Sequence, residues 1–189
     1  MRKIKMFSMI SVDGFFAGED GNIDWHTVDD EFNKFALEVI STVDMLVFGR
    51  ITYQLFESYW PTAAEDSNES PEDKQIADFI NKAHKVVFSK SLTEVDWEGA
   101  ELMHDIDPEV VKGWKQQDGK DIIIYGSGSV VAEMTNLGLI DEYNLMISPV
   151  ILGMGKPLFE GLDISLKLKL LSSRVFKSNG NVLLSYAGN

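Results

Sequence analysis

Asp121-Ile122-Ile123-Ile124-Tyr125-Gly126-Ser127-Gly128-Ser129 carries the pattern on which the fold turns. Three consecutive isoleucines form a run too short for a helix and apolar on both parities, as in a strand covered on both faces. The Gly-Ser-Gly-Ser turn leads into Val130, Val131, Met134 and Leu137, which recur at helical spacing until Gly138 stops them. Strand, glycine turn and helix thus follow one another within twenty residues.

The same unit recurs upstream. Met45-Leu46-Val47-Phe48 is closed by Gly49, and Thr52, Leu55, Phe56 and Tyr59 then repeat as one helix face that stops at Pro61. Ser70-Pro71 supplies a cap and first-turn proline for a helix with Ile76, Phe79, Ile80 and Ala83 inward. The strand Lys85 to Ser89 follows, and Asp107-Pro108 opens another helix through Val110, Val111 and Trp114. At the start of the chain, Ile4 to Val12 reads as a buried strand ended by Asp13-Gly14. Phe32, Phe35, Ala36, Val39, Ile40 and Val43 form an amphipathic helix, with Thr27 to Asp30 able to cap it. Downstream, Tyr143 to Leu152, Leu166 to Leu170 and Asn181 to Tyr186 read as strands. Alternation followed by a run of strands predicts an α/β fold: a mainly parallel central sheet, helices on both faces, antiparallel strands at the C-terminal end.

Composition bounds the function. The 189 residues are 44% hydrophobic and 25% charged, which fits one domain over 1–189. No apolar run reaches the roughly 20 residues of a membrane span and no signal-peptide core opens the chain, so a soluble, cytoplasmic protein is expected. With no cysteine, thiolate metal sites and cysteine nucleophiles are excluded. His26, His84 and His104 lack ligand spacing, so no metal is expected. A net charge of −13 repels a polyanion and argues against nucleic acid. A phosphate-bearing ligand then needs a local gathering of backbone N–H groups and a few cations.

Three strand ends offer one: Gly49-Arg50-Ile51-Thr52, Ser89-Lys90-Ser91 and Gly126-Ser127-Gly128-Ser129. Glycine allows close approach, helix N-termini present free N–H groups, and Arg50 or Lys90 can pair with phosphate oxygens. Singly, each has a plainer reading: a tight turn, a surface ion pair, a loop. Their common placement after buried strands favours a dinucleotide, and a 2′-phosphate favours NADPH over NADH.

Ser11-Val12-Asp13-Gly14-Phe15-Phe16-Ala17, Asp24-Trp25, Phe48 to Tyr53, Tyr59-Trp60-Pro61, Ile124 to Gly128 and Pro149 to Phe159 occur in the order seen in dihydrofolate-reductase-like proteins. The chain most resembles stand-alone relatives of the reductase half of the bifunctional riboflavin-biosynthesis deaminase-reductase. That resemblance implies NADPH contacts to Gly49, Arg50, Thr52, Ser89, Lys90, Gly126, Ser127, Gly128 and Ser129, with the first loop beside the nicotinamide. It implies a homodimer built with late strands, and a carboxylate near the first helix as proton source. Asp30 sits nearest that place by its spacing after Trp25; Asp24 competes from the adjoining loop. The plain alternatives are a helix N-cap for Asp30 and an exposed turn for Asp24. Trp25 and Tyr53 are candidates to stack on a ring substrate, against simple core packing.

The resemblance has limits. Between Ile51 and Asp73 there is no Lys or Arg to pair with the tail of folate, while Glu57, Glu65, Asp66, Glu69, Glu72 and Asp73 are present. No deaminase zinc motif accompanies the domain. An NADPH-dependent reductase of a small pterin, pyrimidine or flavin-like ring is expected, with a ring-binding sensor or carrier as the alternative.

Overall fold

The computed structural model describes residues 1–188. Eight strands form the main sheet: β1 (Ile4–Ser11), β3 (Val43–Gly49), β4 (His84–Phe88), β5 (Ala100–Met103), β6 (Asp121–Ile124), β7 (Glu142–Ser148), β9 (Lys169–Val175) and β10 (Val182–Ala187). Their order is β5-β4-β3-β6-β1-β7-β10-β9. From β5 to β7 all pairs are parallel; β10 runs antiparallel to β7, and β9 to β10. β2 (Phe15–Ala17) and β8 (Lys156–Pro157) form a separate antiparallel pair. The α/β architecture with late antiparallel strands is therefore the one expected from the apolar runs.

Helices α1 (Asp30–Ile40), α2 (Arg50–Ala63) and α3 (Pro71–Lys82) cover one face. Their Phe35, Ile40, Tyr53, Ile76 and Ile80 bury with Phe7, Met9, Leu46, Val87 and Met146 of the sheet. α4 (Pro108–Gln116) and α5 (Gly128–Asn136) cover the other, where Val111, Trp114, Val130, Val131 and Met134 pack on Ile4, Met6, Val47 and Ile124. Both parities of the central strands are thus used, which explains their unbroken apolar runs.

Several local expectations shift. Val43 begins β3 instead of ending the preceding helix, because the chain turns at Ser41 and Thr42, whose N–H groups close back on Leu37 and Val39. α2 passes through Pro61 to Ala63; Asn81 donates to the Trp60 carbonyl in its last turns. Its buried face is Tyr53, Phe56 and Trp60, leaving Leu55 and Tyr59 exposed, since two apolar stripes compete and the bulkier one fills the core. The late strand starts at Lys169 and not Leu166; Leu166 and Leu168 instead pack against the α5-side core. β5, β2 and β8 were not foreseen.

Lys85 is wholly buried in β4. Its Nζ donates to the carbonyls of Asn81, Ala83 and Glu98, each at 2.9 Å, and lies 4.6 Å from the Trp97 ring centroid. Burial lowers its pKa to about 8. Asn81 and Ala83 belong to the end of α3 and its connection to β4, and Glu98 to the approach to β5, so the lysine ties these two segments together.

Candidate functional site

In the sheet order β4, β3 and β6 are neighbours, so the turns that follow them lie side by side at the carboxyl edge of the sheet. Ligands of such sheets bind beyond that edge. Gly49 N–H donates to Gly126 O at 2.8 Å and locks the first turn to the third. A Cβ on Gly49 would lie 2.3 Å from Ser127 Oγ and 3.0 Å from Ser127 N, so only glycine permits this approach. Gly126 has φ of +114°, a conformation open to glycine, and the peptide joining it to Ser127 is cis. The position of a Cβ on Gly126 is 3.2 Å from Thr52 Oγ1, which brings Thr52 against the same turn.

A cleft of about 350 Å³ opens between these turns, lined by Arg50, Ser89, Lys90, Ser127, Ser129 and Glu133 among others. Its electrostatics come from the helix starts. α1, α3 and α4 are capped by the side chains of Asp29, Ser70 and Asp107. The two helices that begin at the cleft, α2 after Gly49 and α5 after Ser127, have no side-chain cap. Their first N–H groups and positive dipole ends are left for an external acceptor.

The cationic side chains stand at the rim. Arg50 is exposed and, among the described residues, bonds only to Gln54, at 3.3 Å. Lys90 is exposed and 3.4 Å from Asp105, a distance at which water competes with the pair. Ser89 is built in more firmly: its hydroxyl accepts from the N–H groups of Ser91 and Leu92 and so shapes the turn that carries Lys90. Ser127 and Ser129 hydroxyls are 2.9 Å apart. Gly128 sits where a Cβ would meet the Phe16 ring at 3.0 Å, which brings the first loop to the start of α5.

Of the carboxylates expected to serve as proton source, Asp24 is exposed and accepts from Asn22 Nδ2 at 2.7 Å. Asp30 is the exposed first residue of α1. The capping role open to Asp30 belongs to Asp29, whose carboxylate accepts from Phe32 N and from Asn179 Nδ2. Neither Asp24 nor Asp30 lines the cleft. Trp25 meets His26 edge-to-face at 4.2 Å. Tyr53 departs from the expected stacking role: it is 2% exposed, packs on Trp97, donates to Glu57 Oε1 and accepts from Trp97 N. Its position on the inner stripe of α2 is the reason.

Two residues escaped notice in the sequence. Glu133 enters the cleft one turn into α5. Asp13, which looked like a strand terminator, accepts from Ser11 Oγ at 2.6 Å and from the N–H groups of Gly153 and Leu152. Those bonds, the Ser11 hydroxyl foremost, hold its pKa below the usual range and tie the first loop to the segment after β7. An Asp-Gly pair directly after a buried strand was the available signal.

The model of the RibD C-terminal domain matches residues 2–182. The Bacillus subtilis protein YyaP is 34% identical over 189 residues, which is all of this chain and 96% of that one. A pyrimidine reductase-like protein of Corynebacterium diphtheriae superposes with a TM-score of 0.68 at 17% identity, over 100% of this chain and 92% of that one. Dihydrofolate reductase of Enterococcus faecalis, solved with NADP(H), superposes with a TM-score of 0.65 at 16% identity, over 99% and 96% of the two chains. These likenesses extend over nearly the whole chain, which belongs to the RibD C-terminal domain family, with a dihydrofolate-reductase-like fold.

Proposed function

We propose that the protein is an NADPH-dependent reductase that delivers a hydride to a C=N or C=O bond of a small heterocycle. The observation that carries the reading is the pair of uncapped helix N-termini, α2 and α5, facing one cleft whose rim bears Arg50 and Lys90. The donor set fits a dinucleotide diphosphate at the helix starts and a further phosphate at the rim. When bound, the reduced nicotinamide supplies the hydride.

The chain's own part is to bind, orient and protonate. Gly126, Ser127, Gly128 and Ser129 offer backbone N–H groups to phosphate oxygens, Gly49 allows the close approach of the two turns, Ser89 shapes the turn that carries Lys90, and Thr52 lies against the Gly126 turn. Asp30 or Asp24 gives the proton to the reduced heteroatom. Trp25 belongs to the loop that borders the reacting ring. Folate is disfavoured as substrate, because Glu57, Glu69 and Asp73 crowd the α2–α3 side, where burial, with the Glu69 carboxylate that accepts from Tyr59, raises that phenol to about 12. The exposure of both Asp24 and Asp30 favours one second reading, a ring-binding sensor that does not turn over.

The test is NADPH against NADH, titrated by quenching of the four tryptophans. NADPH binds more tightly, and Arg50→Ala weakens it by about 10- to 100-fold while NADH is little changed, the loss of a charge-assisted pair to phosphate. Equal affinity for both cofactors in the parent protein refutes the assignment. Oxidation of NADPH with a panel of pterins, pyrimidines and flavins separates reductase from sensor.

The protein acts as a homodimer through the β9 edge of the sheet, where Leu170, Leu171 and Val175 are exposed on a strand with no outer neighbour among the described residues. A light-scattering mass of one 21.2 kDa chain at micromolar concentration overturns this.

A further inference from the structure

Asn179 is the single asparagine followed by glycine in the sequence. Asparagine is a thermolabile residue, and glycine has no side chain to keep its backbone nitrogen away from the preceding amide carbon. Asn179 and Gly180 stand at the tip of the β9–β10 hairpin. The turn is closed by Phe176 N to Asn181 O at 2.8 Å and Gly180 N to Phe176 O at 2.9 Å, and Gly180 has φ of +79°.

This tip is also a clasp on the segment that enters α1. Ser178 donates to Glu31 Oε2 from its backbone N at 3.1 Å and from its hydroxyl at 2.8 Å. Asn179 Nδ2 donates to Asp29 Oδ2 at 2.9 Å, while the other oxygen of that carboxylate caps α1 at Phe32 N. The Phe32 N–H foremost holds Asp29 below the usual carboxylate range, so the clasp closes on an ionised group. Asn181 Nδ2 adds a longer contact to Thr27 O at 3.4 Å.

The bonds that hold the Asn179 amide also prepare its loss. Its Oδ1 accepts from Asn181 N at 2.9 Å, which polarises Cγ and steadies the charge this oxygen takes when Cγ is attacked. The nitrogen held by Asp29 is the one that leaves. The attacking group is the backbone nitrogen of the next residue, already tethered beside its target. One bond restrains it, to Phe176 O, in a turn on the outermost strand pair of the sheet, where local opening costs least.

We propose that Asn179 is a site of spontaneous covalent modification, deamidation, which opens the clasp between the β9–β10 hairpin and α1. Gly180 N bonds to Asn179 Cγ and gives up its proton; the Cγ–Nδ2 bond breaks, and that nitrogen departs with the proton as ammonia. Water then opens the resulting succinimide at either carbonyl and leaves aspartate or isoaspartate at 179, with no oxidation or reduction. A carboxylate oxygen then stands where Nδ2 stood, 2.9 Å from Asp29 Oδ2, and a donor–acceptor pair becomes two like charges. The isoaspartyl form also lengthens the backbone of the turn by one methylene. The 27–31 segment thereby loses its hold on the late strands, whatever the cleft binds.

The full chain, incubated folded at about pH 6 and about pH 8.5, is digested and mapped by mass spectrometry. Replacement of NH2 by OH should appear at Asn179 before any other asparagine, and faster at the higher pH, because Gly180 N must lose its proton. If Asn179 converts in the chain unfolded by urea but stays intact in the folded chain over the same days, the native turn protects it and the proposal is overturned. Asn179→Asp should lower the melting temperature by about 2–4 °C and speed amide exchange over residues 27–32. Adding Asp29→Asn exchanges amide and carboxylate across the same pair and keeps a good cap, so most of both losses should return. An Asn179→Asp protein that melts and exchanges like the parent, or a loss that Asp29→Asn leaves untouched, removes the clasp. The deamidated fraction of the parent, separated by ion exchange, gives the same readings if the variant does not fold.

Discussion

Gly49→Ala tests whether the junction of the β3 and β6 turns organises the cleft. Gly49 has φ −88° and ψ 165°, which alanine adopts freely, so any cost is steric. The new methyl would start 2.3 Å from Ser127 Oγ, 3.0 Å from Ser127 Cβ and 3.0 Å from Ser127 N. Rotation of the hydroxyl, at the expense of its 2.9 Å contact with Ser129, relieves the first clash but not the other two. The two turns must then part by about half an ångström and stretch the 2.8 Å bond from Gly49 N to Gly126 O. Overpacking of this kind costs about 1–3 kcal/mol, or roughly 3–10 °C in melting temperature for a chain of this size. The start of α5 shifts with it, so NADPH affinity should fall by about tenfold or more. Adding Ser127→Gly removes the hydroxyl and Cβ contacts, and a double-mutant cycle read by thermal melting and by tryptophan quenching should recover most of both losses. A Gly49→Ala protein with unchanged melting temperature and cofactor affinity would refute the reasoning, and so would a loss that Ser127→Gly does not reduce.

Two further outcomes follow from titratable groups. Desolvation lowers His26 from 6.5 to about 4. The unfolded chain therefore binds a proton more readily between those values, and stability present at pH 7 is lost as pH falls from 6.5 to 4, by at most about 3 kcal/mol. Urea midpoints at pH 7 and pH 4.5 should differ more in the parent than in His26→Phe; identical pH dependence in the two contradicts a buried neutral imidazole. If the chain turns over, Asp30→Asn or Asp24→Asn should lower kcat by about a hundredfold and leave NADPH affinity nearly intact. Full activity in both variants removes these carboxylates from the mechanism.

How much of this was legible in the sequence depended on whether the signal was local. Strands covered on both faces announce themselves, as Ile122-Ile123-Ile124 does, and caps such as Ser70-Pro71 and Asp107-Pro108 mark helix starts directly. β5 is an edge strand of only four residues, Ala100 to Met103, too short to show a period, and β2–β8 depends on Gly155, where a Cβ would lie 2.4 Å from Ala17 O, a contact between residues far apart in the chain. Tyr53 was misplaced because α2 carries two apolar stripes and only packing chooses between them. The three strand-end turns, two of them with glycine, were visible one by one, whereas the missing caps on α2 and α5 matter only once β4, β3 and β6 are known to be adjacent.

The strand order also sets a timetable for assembly. β1 is made first, yet its two neighbours, β6 and β7, begin at residues 121 and 142. β3, β4 and β5 by contrast pair in sequence, each with its neighbour. During synthesis the leading strand must therefore wait, apolar on both faces, while a three-stranded subassembly forms behind it, and the long loop this closes is the slow, entropically expensive step. Pulsed hydrogen exchange should find amides of β3 and β4 protected before those of β1. Until β6 slides between the two, the nascent chain presents an open strand edge on either side of the gap, and this is the interval in which it is most exposed to misassociation with its own copies.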